Sequence, residues 1–445
     1  MKLSIPEFNI EFDEGFSPHK DIFHRKEFGD KLYNLIKNSD ENLVLALDSK
    51  WGEGKSSFIK MWSSENKYKK TPPLETIYFD AFSNDYQQSP FLALASEIYE
   101  LLEDKAKEKR EEFKEKATQV FKTFSRGIIK AGIRIGTAGV LDGSILDRAE
   151  SDISSLVSEQ IDTVIASKFE SSKADKLALC QFKQFLSHIA SKYTTSYRIV
   201  FIIDELDRCR PDFALDLLEN IKHLFSVPGI TFLLVMNKQQ LEESVKCRYG
   251  NGIDSITYLQ KFIHVWLSLP RTSGQYQQDD GVIYLNSCLE LMSEHKGVKN
   301  GSAVKTLASI VKHLRPSFRD IERILTYFAI LENSGNNAFN EYCQDFMALI
   351  CYLKVIHPQL LEMVLAKSAS SENLLDVLKL SDSSHYNNDR TLDYLARQIK
   401  FDLSDENNRE DMIKQNLIHG FYAGRYPSDV LSFFSRELAN IESIG

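Results

Sequence analysis

The stretch LVLALDSKWGEGKSSF, Leu43–Phe58, decides the fold. An apolar run ends in Asp48, and a short loop carrying Gly52 and Gly54 follows. Lys55, Ser56 and Ser57 then open an amphipathic segment that continues through Trp62. Strand, glycine loop and helix in that order predict a phosphate-binding loop across Trp51, Gly52, Glu53, Gly54, Lys55, Ser56 and Ser57. Backbone N–H groups of such a loop wrap an anion, and the new helix N-terminus adds partial positive charge. Lys55 is expected to reach the β- and γ-phosphates, and the Ser56 hydroxyl to ligate Mg²⁺. Ser49 stands where the G-x-x-x-x-G-K-[ST] pattern has its first glycine. The plainer alternative is a turn followed by an ordinary lysine.

A second stretch, RIVFIIDELDRC (Arg198–Cys209), is a continuous apolar run followed by acids. Such a run predicts a buried parallel strand whose carboxylates emerge at the C-terminal edge, where ligands of open α/β sheets sit. Asp204 is placed to hold Mg²⁺ through water. Glu205 is placed to orient and deprotonate an attacking water, with Asp207 the next candidate, and Arg208 is a candidate to neutralise transition-state charge. Capping of a helix starting near Pro211 is the competing role for these acids.

WGEGKSS and IIDELDRCRP, with YFDAF between them, resemble the KAP family of P-loop NTPases. The family is named for a neuronal membrane scaffold and a plasmid-encoded phage-exclusion protein. The resemblance runs from Asp21 to Leu365 and is most specific at Asp204–Cys209. Two departures stand out: family members usually carry tryptophan where this chain has Phe82, and often aspartate where it has Asn237. The resemblance implies that Asp21–Leu35 lies beside the nucleotide base, so that Ile22 and Phe23 could pack on adenine. A helix merely covering the sheet edge fits that segment equally well. Many family members insert transmembrane helices between the two nucleotide motifs, where this chain has Gly127–Leu146. Here Lys130 and Arg134 interrupt that segment and Asp142 truncates it. A span needs about 20 apolar residues, and each central charge costs about 2.5–3.5 kcal/mol. The segment is therefore expected not to span, but to form a buried helix, a partner surface or a membrane-surface contact.

Five strands are predicted, at 43–48, 76–80, 198–204, 231–236 and 264–269. Another strand is expected between the loop strand and the acidic strand, the arrangement of the additional-strand class of P-loop proteins. The fold class is thus α/β, a five-stranded, mostly parallel sheet followed by helices. Residues 1–271 would form the core with a helical insertion at about 90–195, 272–334 a helical lid, and 335–445 a C-terminal helical domain. Within the insertion, Pro90–Phe121 carries KAKEKREEFKEK and is expected to be a long solvated helix whose later half buries little. Ser368–Asn388 is expected to be loose in part, and the aromatics Phe421, Tyr422, Tyr426, Phe433 and Phe434 to pack in a core.

Asp80 could contact the active-site water or metal, or cap a helix. Asn237 could sense the γ-phosphate or form a turn. Arg319 and Arg323 lie one helical turn apart on SFRDIERILTYFAIL, which the resemblance places in the lid beside the nucleotide. Either could contact the γ-phosphate, or both could face Asp320 and Glu322 on their own helix.

A 445-residue chain with 43% hydrophobic and 26% charged residues can bury a large core. Its net charge of −9 and pI near 5.7 argue against a globally basic nucleic-acid surface. Cysteines at 180, 209, 247, 288, 343 and 351 form no C-x-x-C pair and signal neither zinc nor disulfides. The N-terminus is too acidic for a signal peptide, so a cytoplasmic protein is expected. The expected chemistry is Mg²⁺-dependent ATP hydrolysis driving a conformational or assembly cycle. Expected partners are a second copy of the chain and other proteins of a bacterial anti-phage system such as Qat. A nucleotide-dependent scaffold with little turnover is the alternative.

Overall fold

A computed structural model describes residues 1–5, 15–39, 42–87, 89–105, 109–122, 174, 176–191, 198–271, 279–292, 301–334, 341–382, 389–415, 417–418, 429–439 and 441. The Gly127–Leu146 segment and the aromatics Phe421, Tyr422 and Tyr426 lie outside these residues. No helix among the described residues is long and apolar enough to cross a membrane.

Five parallel strands form one sheet: β1 (Val44–Asp48), β2 (Glu75–Asp80), β3 (Ile199–Asp204), β4 (Ile230–Met236) and β5 (Val265–Ser268). Their spatial order is β2-β3-β4-β1-β5. β4 therefore separates the loop strand β1 from the acidic strand β3, as the additional-strand class requires. All of β3 and β4 is buried, whereas the edge strand β2 alternates and the edge strand β5 is half open. That explains their composition, because a central parallel strand covered on both faces must be apolar throughout.

Alternate side chains go to opposite faces. Leu45, Leu47, Val200, Ile202, Leu233 and Val235 join a core with helices α1 (Lys26–Lys37) and α2 (Lys55–Tyr68), supplied by Leu32, Ile36, Phe58 and Trp62. The Trp62 indole N–H donates to the Gly29 carbonyl at 2.9 Å and fixes α1 against α2. On the other face, Phe201, Ile203, Phe232 and Leu234 meet helices from the insertion and from Pro211–Asn220.

The insertion differs from expectation. The segment 109–122 is helical, but Phe113, Ala117 and Val120 are buried in the sheet core. Phe113 packs on Phe182 and Phe185 of the helical segment 176–191. Spacings of four and three put the three residues on one helix face, and the surrounding lysines and glutamates had masked it. Within 368–388, Ser371–Val377 is an ordered helix capped by Ser370, whose hydroxyl accepts the Asn373 N–H; residues 383–388 lie outside the described set.

Beyond β5 every described element is a helix. Residues from Tyr284 to Leu438 share one apolar core, with Met1, Ile5, Ile22 and Phe23 packed against it. Phe434 is buried there, while Phe433 is partly open.

Candidate active site

Gly52 and Gly54 have φ of +76° and +78°, the left-handed region that a Cβ disfavours. A Cβ at Gly54 would sit 3.3 Å from Arg25 Nη1, and one at Gly52 3.1 Å from Arg319 Cβ. The glycines thus make the turn and let two arginine-bearing segments approach it. Serine replaces the first pattern glycine without disrupting the loop. Its Oγ donates to Glu53 Oε2 at 2.7 Å, and the same oxygen accepts the Lys50 N–H at 3.3 Å. Arg271, just past β5, pairs with Glu53 Oε1, and Arg25 Nη1 donates to the Glu53 carbonyl at 3.0 Å. Glu53 is therefore a clamp inside the loop.

Lys55 Nζ donates to the carbonyls of Ser49 (2.6 Å) and Lys50 (3.0 Å), so the ammonium bridges the loop that would receive an anion. Burial lowers its pKa, opposed by the carboxylates of Asp207, Asp204, Glu53 and Asp48. The loop tip also reaches the acidic strand. Trp51, 41% exposed, donates its indole N–H to Asp207 Oδ2 at 2.5 Å.

Asp204 is 1% exposed. Burial raises its pKa, while bonds from the Ser56 hydroxyl, the Tyr78 hydroxyl and the Glu205 N–H hold it down. Tyr78 donates to Oδ2 at 3.0 Å and the Glu205 N–H to Oδ1 at 2.9 Å. Ser56, in the first turn of α2, is near enough to Asp204 at the end of β3 to lower its pKa, so the two oxygen donors expected for Mg²⁺ lie on neighbouring elements. A hydroxyl, a carboxylate and an adjoining anion-binding loop fit a hard cation that shares its remaining positions with phosphate and water.

Glu205 adopts a left-handed φ of +59°, a conformation that costs a non-glycine residue free energy and clusters at functional sites. Its Oε1 pairs with Arg208 Nη1 at 2.8 Å. Burial raises the Glu205 pKa, with Arg208 opposing and Asp204, Asp80 and Asp207 reinforcing. Asp80 caps the next helix by accepting the Ser83 N–H at 2.8 Å. Asn237 likewise caps Lys238–Tyr249, its Oδ1 accepting the Gln239 N–H at 3.1 Å.

Beside the loop lies a cavity of about 220 Å³ walled by Ile22, Phe23, Gly54, Ser57, Tyr284 and Arg319, among others. Phe23 and Phe318 stack at 4.8 Å, Phe318 and Tyr284 at 4.6 Å, and Arg25 lies 4.4 Å over Phe23. Arg319 opens the helix Phe318–Ser334 directly against the loop. The acids near it are engaged elsewhere: Asp320 bonds Ser317, and Glu322 accepts the Tyr284 hydroxyl. Arg323, one turn on, is exposed and does not line this cavity.

The sequence reading missed Arg25, Arg271 and Tyr78. Arg25 is 3% exposed, and burial pulls its guanidinium down to about 10. Its Nε and Nη2 have no hydrogen-bond partner among the described residues. No local signal marks Arg25 or Arg271, and Tyr78 stands in the YFDAF stretch with nothing local to give its hydroxyl a role, because each meets the site only through the fold.

Sheet order, glycine loop and acidic strand define a P-loop NTPase domain. The KAP family P-loop domain matches residues 25–334, and the chain belongs to that family. No curated protein matches the chain. Among solved structures it is similar to the Aeropyrum pernix ORC2 protein in its ADPNP–ADP complexes, with 13% identity, 98% of each chain covered and a TM-score of 0.37.

Proposed function

We propose that the chain binds ATP with Mg²⁺ at the Trp51–Ser57 loop and hydrolyses it to drive a conformational or assembly switch. The observation that carries this reading is the Trp51–Asp207 hydrogen bond, which brings the glycine loop onto the end of the acidic strand, with Glu205 close by in a strained conformation. Loop N–H groups and Lys55 bind the phosphates. Ser56, and Asp204 through water, would hold Mg²⁺, which when bound would supply charge neutralisation of the transferring phosphoryl group. Glu205 orients the attacking water and takes its proton. Its raised pKa makes it a stronger proton acceptor than an ordinary carboxylate. Arg319 neutralises γ-phosphate charge from the helical side, and Arg323 and Asn237 are secondary candidates. Ile22 and Phe23 wall the base.

A slow switch is the second reading, and the Arg208–Glu205 pair favours it. While Arg208 holds the carboxylate, its basicity is spent on the ion pair, and a partner that draws Arg208 away would start turnover. Membership of the KAP family supports a role in bacterial anti-phage defence within the cytoplasm, acting with other copies of itself and other defence proteins. That step is analogy at the level of the family.

The test is a pair of substitutions read by ADP binding and phosphate release. Lys55→Ala should abolish binding, because it removes the cation that offsets ground-state phosphate charge. Glu205→Gln should bind normally and stall hydrolysis. Hydrolysis at the parental rate in Glu205→Gln would transfer the role to Asp207.

A further inference from the structure

We propose that Tyr78 is a positioning residue for the metal site: its phenol O–H fixes the Asp204 carboxylate in the orientation that takes the nucleotide's Mg²⁺. This rests on the nucleotide–Mg²⁺ reading above and adds to it a residue outside the glycine loop and the acidic strand.

Strand register places the phenol. β2 and β3 pair in parallel with Tyr78 opposite Ile202 and Asp80 opposite Asp204. Thr76, Tyr78 and Asp80 share one face of β2, and Val200, Ile202 and Asp204 one face of β3. That face packs on α2, where Ser63 Oγ meets Thr76 Oγ1 at 2.5 Å. The Tyr78 ring runs along it and ends 3.0 Å from Asp204 Oδ2.

The chemistry of the carboxylate makes this contact more than packing. Rotation about the last aspartate torsion is broad and nearly two-fold, so an unanchored carboxylate samples many orientations. The Glu205 N–H holds Oδ1 from the adjacent residue, and the Ser56 hydroxyl belongs to the proposed metal set itself. Tyr78 anchors Oδ2 from a neighbouring strand and is free of any metal duty. The ring is half-buried and packs against the core on this face, which holds the phenol in place. Outer partners of this kind set metal affinity by orienting the ligand.

The experiment titrates Mg²⁺, and separately Mn²⁺, against the full chain holding a fluorescent ADP analogue. It compares the wild type, Tyr78→Phe, Asp204→Asn and the double variant. Tyr78→Phe keeps the ring and should leave metal-free ADP affinity unchanged, which also verifies its folding. Its half-saturating Mg²⁺ concentration should rise roughly 10-fold. In the Asp204→Asn background the same change should add nothing, because the two residues act as one unit. The proposal is overturned if Tyr78→Phe titrates like the wild type, or if it weakens metal binding equally in both backgrounds. A wild type whose ADP affinity ignores the cation overturns the Mg²⁺ reading along with it.

Discussion

Glu53→Gln tests whether the phosphate loop is held ready by its own acid. The Glu53 carboxylate accepts from Ser49 Oγ at 2.7 Å and from the Lys50 N–H at 3.3 Å, and pairs with Arg271. Hydrogen bonds to a charged group contribute roughly 1.5–3 kcal/mol each. Glutamine keeps one acceptor oxygen of the same shape, so the change removes the equivalent of about one such bond. The Arg271 side chain is nearly half exposed, and its share is discounted for screening by water. A net loss of roughly 1–2 kcal/mol from the closed loop corresponds to roughly 5- to 30-fold weaker ADP binding, since the ligand must then order the loop. An opposing effect exists, because deleting a negative charge and freeing Arg271 makes the surroundings more attractive to phosphate. That term is long-range and fades with salt, whereas loop order does not. Calorimetric ADP affinity measured at low and high salt separates the two. The loss should persist at high salt and grow there. A folded variant with wild-type affinity at high salt would refute the clamp.

Two further outcomes follow from the same geometry. Arg319→Ala should erase the difference in hydrogen-exchange protection of residues 318–334 between a non-hydrolysable ATP analogue and ADP, with ADP affinity nearly unchanged; a persisting difference would reduce Arg319 to a surface residue. Asp402, pushed up to about 6 by burial, accepts the N–H groups of Val430 and Leu431 and so ties down the last described helix. Its folded value exceeds its unfolded one near 4, so the folded chain binds the proton more tightly between those values. The stabilisation is complete below about pH 4 and is lost as pH rises through about 6. Urea unfolding at stepped pH should show that slope, and Asp402→Asn should flatten it.

The sheet was legible because central parallel strands have no solvent face and must be written as unbroken apolar runs. Strand order also followed, since the loop strand and the acidic strand could be told apart by their C-terminal residues. The place of Lys55, Ser56 and Ser57 in the first turn of α2 was legible because the glycines fix where that helix starts. Contacts across the chain were not. Trp51 and Asp207 stand 156 residues apart, and Glu53 and Arg271 218 apart. Neither member of either pair has a local pattern that calls for the other. Tyr78 read as an ordinary strand aromatic, because its hydroxyl matters only where β2 lies beside β3. The 109–122 face was available in the sequence and was hidden by weighing charge density above the spacing of Phe113, Ala117 and Val120.

The cavity beside the loop is walled by three separate parts of the chain, and this bears on how a nucleotide would be felt elsewhere. Ile22 and Phe23 come from the N-terminal segment, Gly54 and Ser57 from the loop and α2, and Tyr284 and Arg319 from the helical part. The N-terminal segment is tied at both ends. Gly15 and Phe16 donate their N–H groups to Ser64 and Glu65 of α2, while Met1 exchanges bonds with Asn333 of the Phe318–Ser334 helix. Arg25 lines this cavity and also a second one, of about 120 Å³, that it shares with Asp280 and Arg315. Within it, Arg25 Nη2 stands 3.8 Å from Asp280 Oδ2, too far for a hydrogen bond, and burial pushes Asp280 up to about 6. A buried pair without close hydrogen bonds is a weak tie. The contact between loop and helical part is thus polar and underbonded at Arg25, and apolar and stacked at Phe23, Phe318 and Tyr284. A ligand shifts such an arrangement only through contacts that differ between its states. On the proposed nucleotide reading those contacts would fall at Arg319, where it meets Gly52, because the walls offered to the base would be the same for ATP and ADP.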